Sequence, residues 1–411
     1  MSYHNDRSCF KKVICFTREH GFQKLIRLII NKLRNAKSGL LKSDPFCCFS
    51  FVRLSEQPAS LLPGGVEEKT INWVIPPIGI GSGGHLNIFR FAANLELLGF
   101  SCRIVIIGEH QPINAQHAKD LIDKHFIPIK GPVYLGMDKA PPARFTIATS
   151  WPTAYYVRNF KDTCHKCYFV QDYEPWFYAV GSESIFAQET YRFGFLGITA
   201  GDWLAKKLSV EFGMKTSAVG FSYDKSLYRP GARNENQRPQ VFFYARPPTQ
   251  RRAFELGLLV LEEVSRRLDT VDFLLAGWDV SDYAIPFAHI NAGLLALDQL
   301  AATYHQCDVA LVISLTNASL LPLELMACGT PVVSNNGPWV EWLLNENNAL
   351  LAEPTVDALA GAICKVLTDS GLADRLRSAG YSTAQSTNWK TEAEKMSQIL
   401  LKEDMHSPLQ I

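Results

Sequence analysis

Short apolar segments alternate with longer amphipathic segments through most of the chain, from residue 70 onward. The β-branched runs INWVIPPI and SCRIVIIG flank LNIFRFAANLELLG, whose apolar residues have helical spacing and which ends at Gly99. The same order recurs where VFFYA precedes an amphipathic stretch over 253–268 and the apolar run VDFLLAGWD. Buried strands that alternate with amphipathic helices are typical of parallel α/β sheets. The pattern predicts an α/β protein with two Rossmann-like units.

The most informative segment spans residues 308 to 335. It opens with DVALVISL, which has the composition of a buried parallel strand, and continues with a polar turn over 316–319. Pro322 suits the first turn of a helix, where its missing N–H has no intrahelical partner, and Gly329 suits the helix end. TPVVSN then begins another strand. A strand, a turn that can hold an anion, a helix carrying the carboxylate Glu324 and a further strand form half of a nucleotide-binding βαβ unit.

The length of 411 residues is too great for one ordinary hydrophobic core and suits two domains. A polar, turn-rich stretch between Gly213 and Gln240 marks the expected boundary. We therefore expect a first Rossmann-like domain over 66–213 and a second over 214–385. Residues 1–65 are predicted to be a basic helical extension followed by a linker.

Apolar residues within this extension recur at helical spacing between lysines and arginines, as in GFQKLIRLIINKLR. A basic amphipathic helix of this kind can lie on an anionic membrane surface. One interpretation is therefore peripheral contact of residues 1–45 with a membrane. The others are a helix packed on the protein's own body and a partly disordered tail.

The overall composition narrows the class of protein. With 47% apolar and 20% charged residues, a net charge of +1 and a pI near 7.6, the chain has no general attraction for nucleic acid. The ten cysteines are scattered, and neither a secretory signal peptide nor an apolar run long enough to span a membrane is recognisable. We expect a cytoplasmic location, with a peripheral position on the inner face of the cell membrane if the extension binds lipid.

The segment PLELMACGTPVVSN resembles the donor-binding signature of retaining, metal-independent glycosyltransferases of family-4 type, which have the two-domain GT-B architecture. The resemblance covers about residues 70–400. It implies that Glu324 holds the ribose of a nucleoside-diphosphate sugar, which would be the donor substrate, with no cofactor or metal. Many members carry a second glutamate near the transferred sugar, and Thr316 stands at that position here. The resemblance also implies that a last helix, within 386–411, returns to the first domain.

Further residues take their expected roles from the same resemblance. Arg246 and Arg251 match the positions of two cations that neutralise the donor diphosphate, with Arg251 in place of the usual lysine. Guanidinium groups bind phosphate well, and a basic helix start is poorly placed unless an anion binds there. The N–H groups of Ser319 and Leu320 are expected to join them. The nucleobase is expected beside Gly293 and Leu294, and the glycine-rich turn GIGSGGH is expected to face the cleft, with these residues at its end: Gly83, Gly84 and His85.

The run QDYEPWF, residues 171–177, places carboxylates and aromatic rings just past the end of a predicted strand, where parallel sheets bind ligands. It resembles a subgroup of these enzymes that transfers rhamnose to bacterial cell-surface polysaccharides. We expect Asp172 to contact the transferred sugar or the acceptor hydroxyl, although a structural role as a cap is the alternative. The same alternative, a packed residue at a helix start, holds for His85.

These observations predict a glycosyltransferase that moves a sugar, with rhamnose from dTDP-rhamnose as the first candidate, onto a glycan or lipid-linked glycan acceptor. Two alternatives share the fold: an enzyme for another donor such as UDP-glucose, and an inactive GT-B subunit that only binds, which the missing glutamate suggests. An NAD-linked oxidoreductase also contains Rossmann units. The glycine spacing at 79–84 and the absence of an acidic residue at the end of the second strand count against it.

Overall fold

The computed structural model describes residues 48–61, 65–108, 112–231 and 238–406. The chain divides into two compact units, Met1–Ser55 and Glu56–Ile411. In the first unit, the described residues contain one 3-10 turn over Ser50–Arg53. The predicted basic helix of the extension lies outside the described residues.

The second unit contains two parallel β-sheets. The first sheet has seven strands in the order β3-β2-β1-β4-β5-β6-β7. Every neighbouring pair in it is parallel. Its strands are β1 Thr70–Ile75, β2 Ser101–Ile106, β3 Val133–Leu135, β4 Ala143–Ala148, β5 Thr163–Val170, β6 Leu196–Ala200 and β7 Thr216–Val219.

The second sheet has six strands in the order β10-β9-β8-β11-β12-β13, again all parallel. These strands are β8 Gln240–Tyr244, β9 Asp272–Ala276, β10 Ile290–Gly293, β11 Val309–Val312, β12 Val332–Asn335 and β13 Leu350–Ala352. In both sheets the strand order reverses beside the first strand, as in a Rossmann fold. The prediction of two parallel-sheet, Rossmann-like domains is confirmed.

Helices connect the strands and cover the sheets. Those of the first half are α1 Gly83–Leu97, α2 Ala115–His125, α3 Trp151–Asn159, α4 Ser182–Thr190 and α5 Asp202–Phe212. Those of the second half are α6 Phe254–Arg267, α7 Leu297–His305, α8 Leu321–Ala327, α9 Pro338–Glu341, α10 Val356–Thr368, α11 Ser370–Ser386 and α12 Trp389–His406. No helix in these parts of the chain is both long enough and apolar enough to cross a membrane.

Two details differ from the expectations. The first sheet continues past residue 213, because β7 (Thr216–Val219) pairs with β6, so the boundary expected at 213 lies too early. The glycine-rich turn is also shorter than expected, since α1 already begins at Gly83. The Ser82 side chain accepts a hydrogen bond from the N–H of His85 and caps the helix, which draws the last glycines into its first turn.

Candidate active site

The strand order of the second sheet reverses between β8 and β11, and two loops leave this point. The loop after β8 ends in a 3-10 turn, Gln250–Arg252, and the loop after β11 carries the polar run 314–319. They are bound together, because the N–H of Leu315 donates to the carbonyl of Arg251 at 3.0 Å and Arg252 Nη1 donates to Ser314 Oγ at 2.6 Å. This is the place where parallel sheets bind ligands.

Asp172 of the first domain meets these loops. It follows β5, and its Oδ2 accepts a hydrogen bond from Thr316 Oγ1 at 3.0 Å and lies 3.4 Å from Arg251 Nε. Its Oδ1 accepts from the N–H of Tyr173 at 2.8 Å. Burial raises the pKa of Asp172, and the guanidinium groups of Arg251 and Arg252 act in the opposite direction. A carboxylate from one domain is therefore held against a hydroxyl and a cation from the other.

Arg251 also forms one wall of a cleft between the domains. Its guanidinium lies over the ring of Phe177, 4.1 Å from the centroid, in a cation–π contact. The cleft has a volume of ≈ 510 Å³ and is lined by the segments 177–183 and 248–251. Its walls mix aromatic rings, hydroxyls, an amide and the carboxylate of Glu183, a set of groups that suits a carbohydrate. The cleft therefore opens beside the pair formed by Asp172 and Arg251.

Three arginines share the loop after β8. Arg246 Nη1 donates to the Tyr244 hydroxyl at 3.2 Å. Burial lowers the pKa of Arg252 to about 10, and the positive charges of Arg251 and Arg246 act in the same direction, whereas Asp172 opposes them. Three guanidinium groups thus lie in one short loop beside the carboxylate of Asp172. Such a concentration of positive charge suits an anion such as a diphosphate.

Glu324 lies in a second cluster. It is on α8 and interacts electrostatically with Arg90 of α1, which is only 6% exposed. Burial raises the pKa of Glu324 to about 7, against the effect of Arg90 and the Tyr228 hydroxyl. In the described residues, Arg90 Nη1 is buried without a hydrogen-bond partner. Arg90 also forms an ion pair with Asp224, with 4.0 Å between Nη2 and Oδ2. An unsatisfied donor beside a buried carboxylate suits a hydroxyl-bearing ligand.

Among the other predicted residues, His85 lies in the first turn of α1. His85 is buried, its Nε2 lies 3.4 Å from the carbonyl of Pro76, and its ring packs near Phe89 and Phe126. Burial lowers the pKa of His85. This environment matches the packed helix-start alternative.

The predicted glycines lie at two places. Gly83 opens α1 with free space around it, whereas the carbonyl of Gly84 accepts a hydrogen bond from Gln171, the neighbour of Asp172. At the end of β10, Gly293 has a φ of 60° and Leu294 is 77% exposed, so this turn offers an open apolar surface. Ser319 and Leu320 directly precede α8, close in sequence to Thr316.

Comparison with known structures identifies the architecture. The chain resembles sucrose-phosphate synthase from Thermosynechococcus elongatus with a TM-score of 0.65 and 17% identity, over 82% of this chain and 100% of the other. It resembles HepE from Anabaena, solved in complex with UDP-glucose, with a TM-score of 0.61 and 15% identity, over 81% and 99% of the two chains. The chain has the GT-B fold. At these identities the likeness concerns the fold alone.

Sequence comparison finds a relative and a matching family model. The chain is 36% identical over 349 residues to the O-antigen biosynthesis protein RfbC of Myxococcus xanthus, a match that covers 82% of this chain. The chain spans only 27% of the length of that relative. The family model described as WsaF, C-terminal domain matches residues 239–364, which contain the whole second sheet of the GT-B fold.

Several residues at the domain boundary of this GT-B protein were not predicted. Arg90 lies in an amphipathic helix, where an arginine is ordinarily solvated. Asn317 belongs to the polar run after β11 but has no feature that separates it from its neighbours. Glu174, two residues after Asp172, is buried and accepts hydrogen bonds from the N–H of Trp151 at 2.9 Å and from the Tyr168 hydroxyl at 2.7 Å. The density of acids in QDYEPWF was the only signal for it.

Proposed function

We propose that this protein is a glycosyltransferase that moves a sugar from a nucleoside-diphosphate sugar onto a cell-surface glycan. The observation that carries the proposal is the contact of Asp172 with Thr316 and Arg251 beside the cleft, a hydrogen bond and an ion pair between the two domains. The contact joins the carboxyl-end loops of both sheets, where ligands bind in this architecture. The relative named for O-antigen biosynthesis supports the choice of a cell-surface glycan.

The second domain would bind the donor. Arg246 and Arg251, with the N–H groups of Ser319 and Leu320, would hold the diphosphate, and Glu324 would hold the ribose. Negative charge develops on the diphosphate as it leaves, so cations placed around it stabilise the transition state. The arginines would supply the positive charge that a metal ion supplies in other transferases, and on this proposal the reaction needs no metal.

We propose a retaining, same-face displacement for the chemical step. The bond between the sugar carbon and the diphosphate oxygen breaks, and the acceptor oxygen forms a bond to the same carbon on the same face. The acceptor hydroxyl proton passes to the departing phosphate oxygen, which balances the charges. Thr316 stands where a glutamate is common, so Asp172 is the carboxylate that would contact the transferred sugar or the acceptor hydroxyl.

Rhamnose, carried by dTDP-rhamnose, is the donor sugar that we propose. The run QDYEPWF and the O-antigen relative support this choice. A UDP-hexose is the second candidate, since HepE has been solved with UDP-glucose. An inactive GT-B subunit would bind a donor without cleaving it. Release of dTDP from dTDP-rhamnose, or of UDP from UDP-glucose, would exclude that alternative.

A thermal-shift panel with dTDP, UDP, GDP, ADP and NAD tests the donor site. A nucleotide present at about a hundred times its dissociation constant stabilises the folded state by about 2.7 kcal/mol. We expect a shift with dTDP that is lost in Glu324→Gln and kept in Glu346→Gln, an exposed carboxylate of the same domain. A shift with UDP or GDP would change the donor but keep the enzyme class. A response to NAD alone, or to none of the five, would contradict the proposal.

Peripheral membrane contact through residues 1–45 is a separate proposal, carried by the basic amphipathic pattern of that segment. It would bring the enzyme to a lipid-linked acceptor on the cytoplasmic face. We expect the full chain to sediment with vesicles that contain anionic lipid, and the deletion of residues 1–45 to abolish this. Unchanged sedimentation after the deletion would show that the segment is not the anchor.

A further inference from the structure

Asn317 joins the second domain to two strands of the first. Its side chain is 1% exposed, and its Nδ2 donates to the carbonyls of Gln171 at 2.8 Å and Ala200 at 2.9 Å. Gln171 directly follows β5, and Ala200 is the last residue of β6. A single amide therefore spans the carboxyl ends of two adjacent strands in the other domain.

The orientation of this amide is fixed by its oxygen. Asn317 Oδ1 accepts hydrogen bonds from Trp342 Nε1 at 2.7 Å and from the N–H of Ala318 at 3.1 Å. Both hydrogens and both lone-pair directions of the amide are thus used, so a flipped amide would lose all four contacts. The Trp342 ring is itself fixed, because it packs on Gly201, where a Cβ would come within 2.4 Å of the ring.

Gln171 is held from the other side as well. Its Nε2 donates to the carbonyl of Gly84 at 3.1 Å, and its Oε1 accepts from Asn87 Nδ2 at 3.0 Å. Its backbone carbonyl accepts the hydrogen bond from Asn317 Nδ2. The residue that precedes Asp172 is therefore attached to α1 through its side chain and to the second domain through its backbone.

We infer that Asn317 is a positioning residue for Asp172. It fixes the backbone at Gln171, so that the carboxylate of the next residue reaches Thr316 and Arg251 across the domain boundary. The catalytic part of this inference rests on the proposed function. A reacting group displaced by about 1 Å can cost about a hundredfold in rate, so the loss of this anchor should be visible in the chemical step.

Kinetics with the donor that gives the thermal shift, dTDP-rhamnose or UDP-glucose, test the inference. In Asn317→Ala we expect kcat for donor cleavage to fall about 10- to 100-fold. KM for the donor should change less than about threefold, because the proposed contacts to its diphosphate and ribose lie in the second domain. Asn336→Ala, which removes an amide that donates to Glu353 within the second domain, is the matched control and should keep the wild-type kcat.

A double-mutant cycle separates positioning from general damage. If Asn317 acts through Asp172, adding Asn317→Ala to Asp172→Asn should lower kcat by less than about threefold further. Full additivity of the two losses would overturn the inference. Trp342→Phe provides a milder variant that keeps the ring on Gly201 but removes the donor to Asn317. We expect it to lower kcat less than Asn317→Ala does, and to show the same non-additivity with Asp172→Asn.

Hydrogen exchange tests the positioning without any substrate. In Asn317→Ala, amides of the segment 171–177 should exchange at least about tenfold faster, whereas those of β12 should not change. Unchanged exchange in 171–177 would overturn the inference even if activity falls. If the wild type binds no nucleotide and cleaves no donor, the proposed function fails, and the exchange result alone then decides whether Asn317 fixes this segment.

Discussion

At the scale of single residues, the buried carboxylate of Glu174 explains how the segment that carries Asp172 is held. Its two oxygens accept hydrogen bonds from the first N–H of α3, at Trp151, and from the Tyr168 hydroxyl, while its own N–H donates to the Tyr191 hydroxyl at 3.2 Å. Burial raises the pKa of Glu174 to about 7, although these hydrogen bonds oppose the shift. Ionisation of this buried carboxylate therefore costs free energy, and the cost appears only at a pH where the group would lose its proton.

The sign of that dependence can be predicted. The folded-state pKa of about 7 lies above the ordinary value of 4.5, so the folded state binds the Glu174 proton more strongly than the unfolded state does. The resulting stabilisation is complete below 4.5 and is lost as the pH rises through 7, a change of about 3 kcal/mol. As the pH rises from below 4.5 to above 7, the unfolding free energy of the wild type should fall by this amount relative to that of Glu174→Gln, as measured by urea unfolding. The exposed Glu255→Gln is the control, and a difference that stays constant with pH would contradict the prediction.

Sequence reasoning could select Asp172 because it follows a recognisable strand, and strand ends converge in a parallel sheet. It could select Arg251 because that residue matches a diphosphate-binding position of the family that the chain resembles. The contact between these two residues could not be predicted from the sequence, because it depends on how the two sheets face each other. Arg90 and Asn317 were missed for the same reason. Their polar groups are buried by residues distant in sequence, such as Gln171 and Ala200 for Asn317, and nothing in the local pattern of either segment signals that burial.

At the scale of elements, prediction succeeded where a segment carries its own signals. Helix α6 runs from Phe254 to Arg267, close to the amphipathic stretch predicted over 253–268, because its apolar residues form a regular face. Strand β7 was missed because TSAV is short, lies at the edge of the sheet and is mostly half-buried. Helix α4 was missed because its apolar residues scarcely form one face. Short edge elements obtain their structure from neighbours, which a local pattern does not record.

Two glycines in neighbouring helices should respond in opposite ways to alanine. In α6, a Cβ at Gly257 would come within 2.0 Å of Phe243 Cζ on β8, whereas in α10 the nearest atom to a Cβ at Gly361 is Arg267 Nη1 at 3.6 Å. Overpacking should make Gly257→Ala about 1–3 kcal/mol less stable. Gly361→Ala should be up to about 1 kcal/mol more stable, because alanine favours the helix. Urea unfolding measures both, and equal effects would contradict the packing of α6 on β8.

At the scale of the whole molecule, the last helix attaches the end of the chain to the first domain. Helix α12 packs against α1 and β7. At its start, the ring of Trp389 lies edge-on to Phe91, with 5.5 Å between centroids. Near its end, Asp404 accepts hydrogen bonds from Arg144 on β4 at 2.6 and 2.5 Å and lies 2.7 Å from His165 Nε2 on β5. Both ends of the helix are thus fixed to the first domain, the start to α1 and the end to the sheet, so the chain passes from the first domain to the second and returns.

The pair between Asp404 and Arg144 should contribute far more to stability than an exposed ion pair. Its side chains are 14% and 7% exposed, so Asp404→Asn leaves a nearly buried guanidinium without its counter-charge, at a cost of about 3–5 kcal/mol. Asp357→Asn removes an ion pair with Arg267 whose carboxylate is 92% exposed, and should have a far smaller effect because solvent screens the pair.

The effect of Asp404→Asn should also depend on pH. Burial alone would raise the pKa of Asp404, but the hydrogen bonds from Arg144 and His165 outweigh burial and hold that pKa below its ordinary value. Its stabilisation is therefore present above the unfolded-state pKa and is lost as the pH falls through the folded-state pKa. Urea unfolding near neutral pH and in acid should show a large difference between wild type and variant that shrinks in acid. If Asp404→Asn and Asp357→Asn cost the same at neutral pH, apolar contacts rather than this ion pair hold α12 on the first domain.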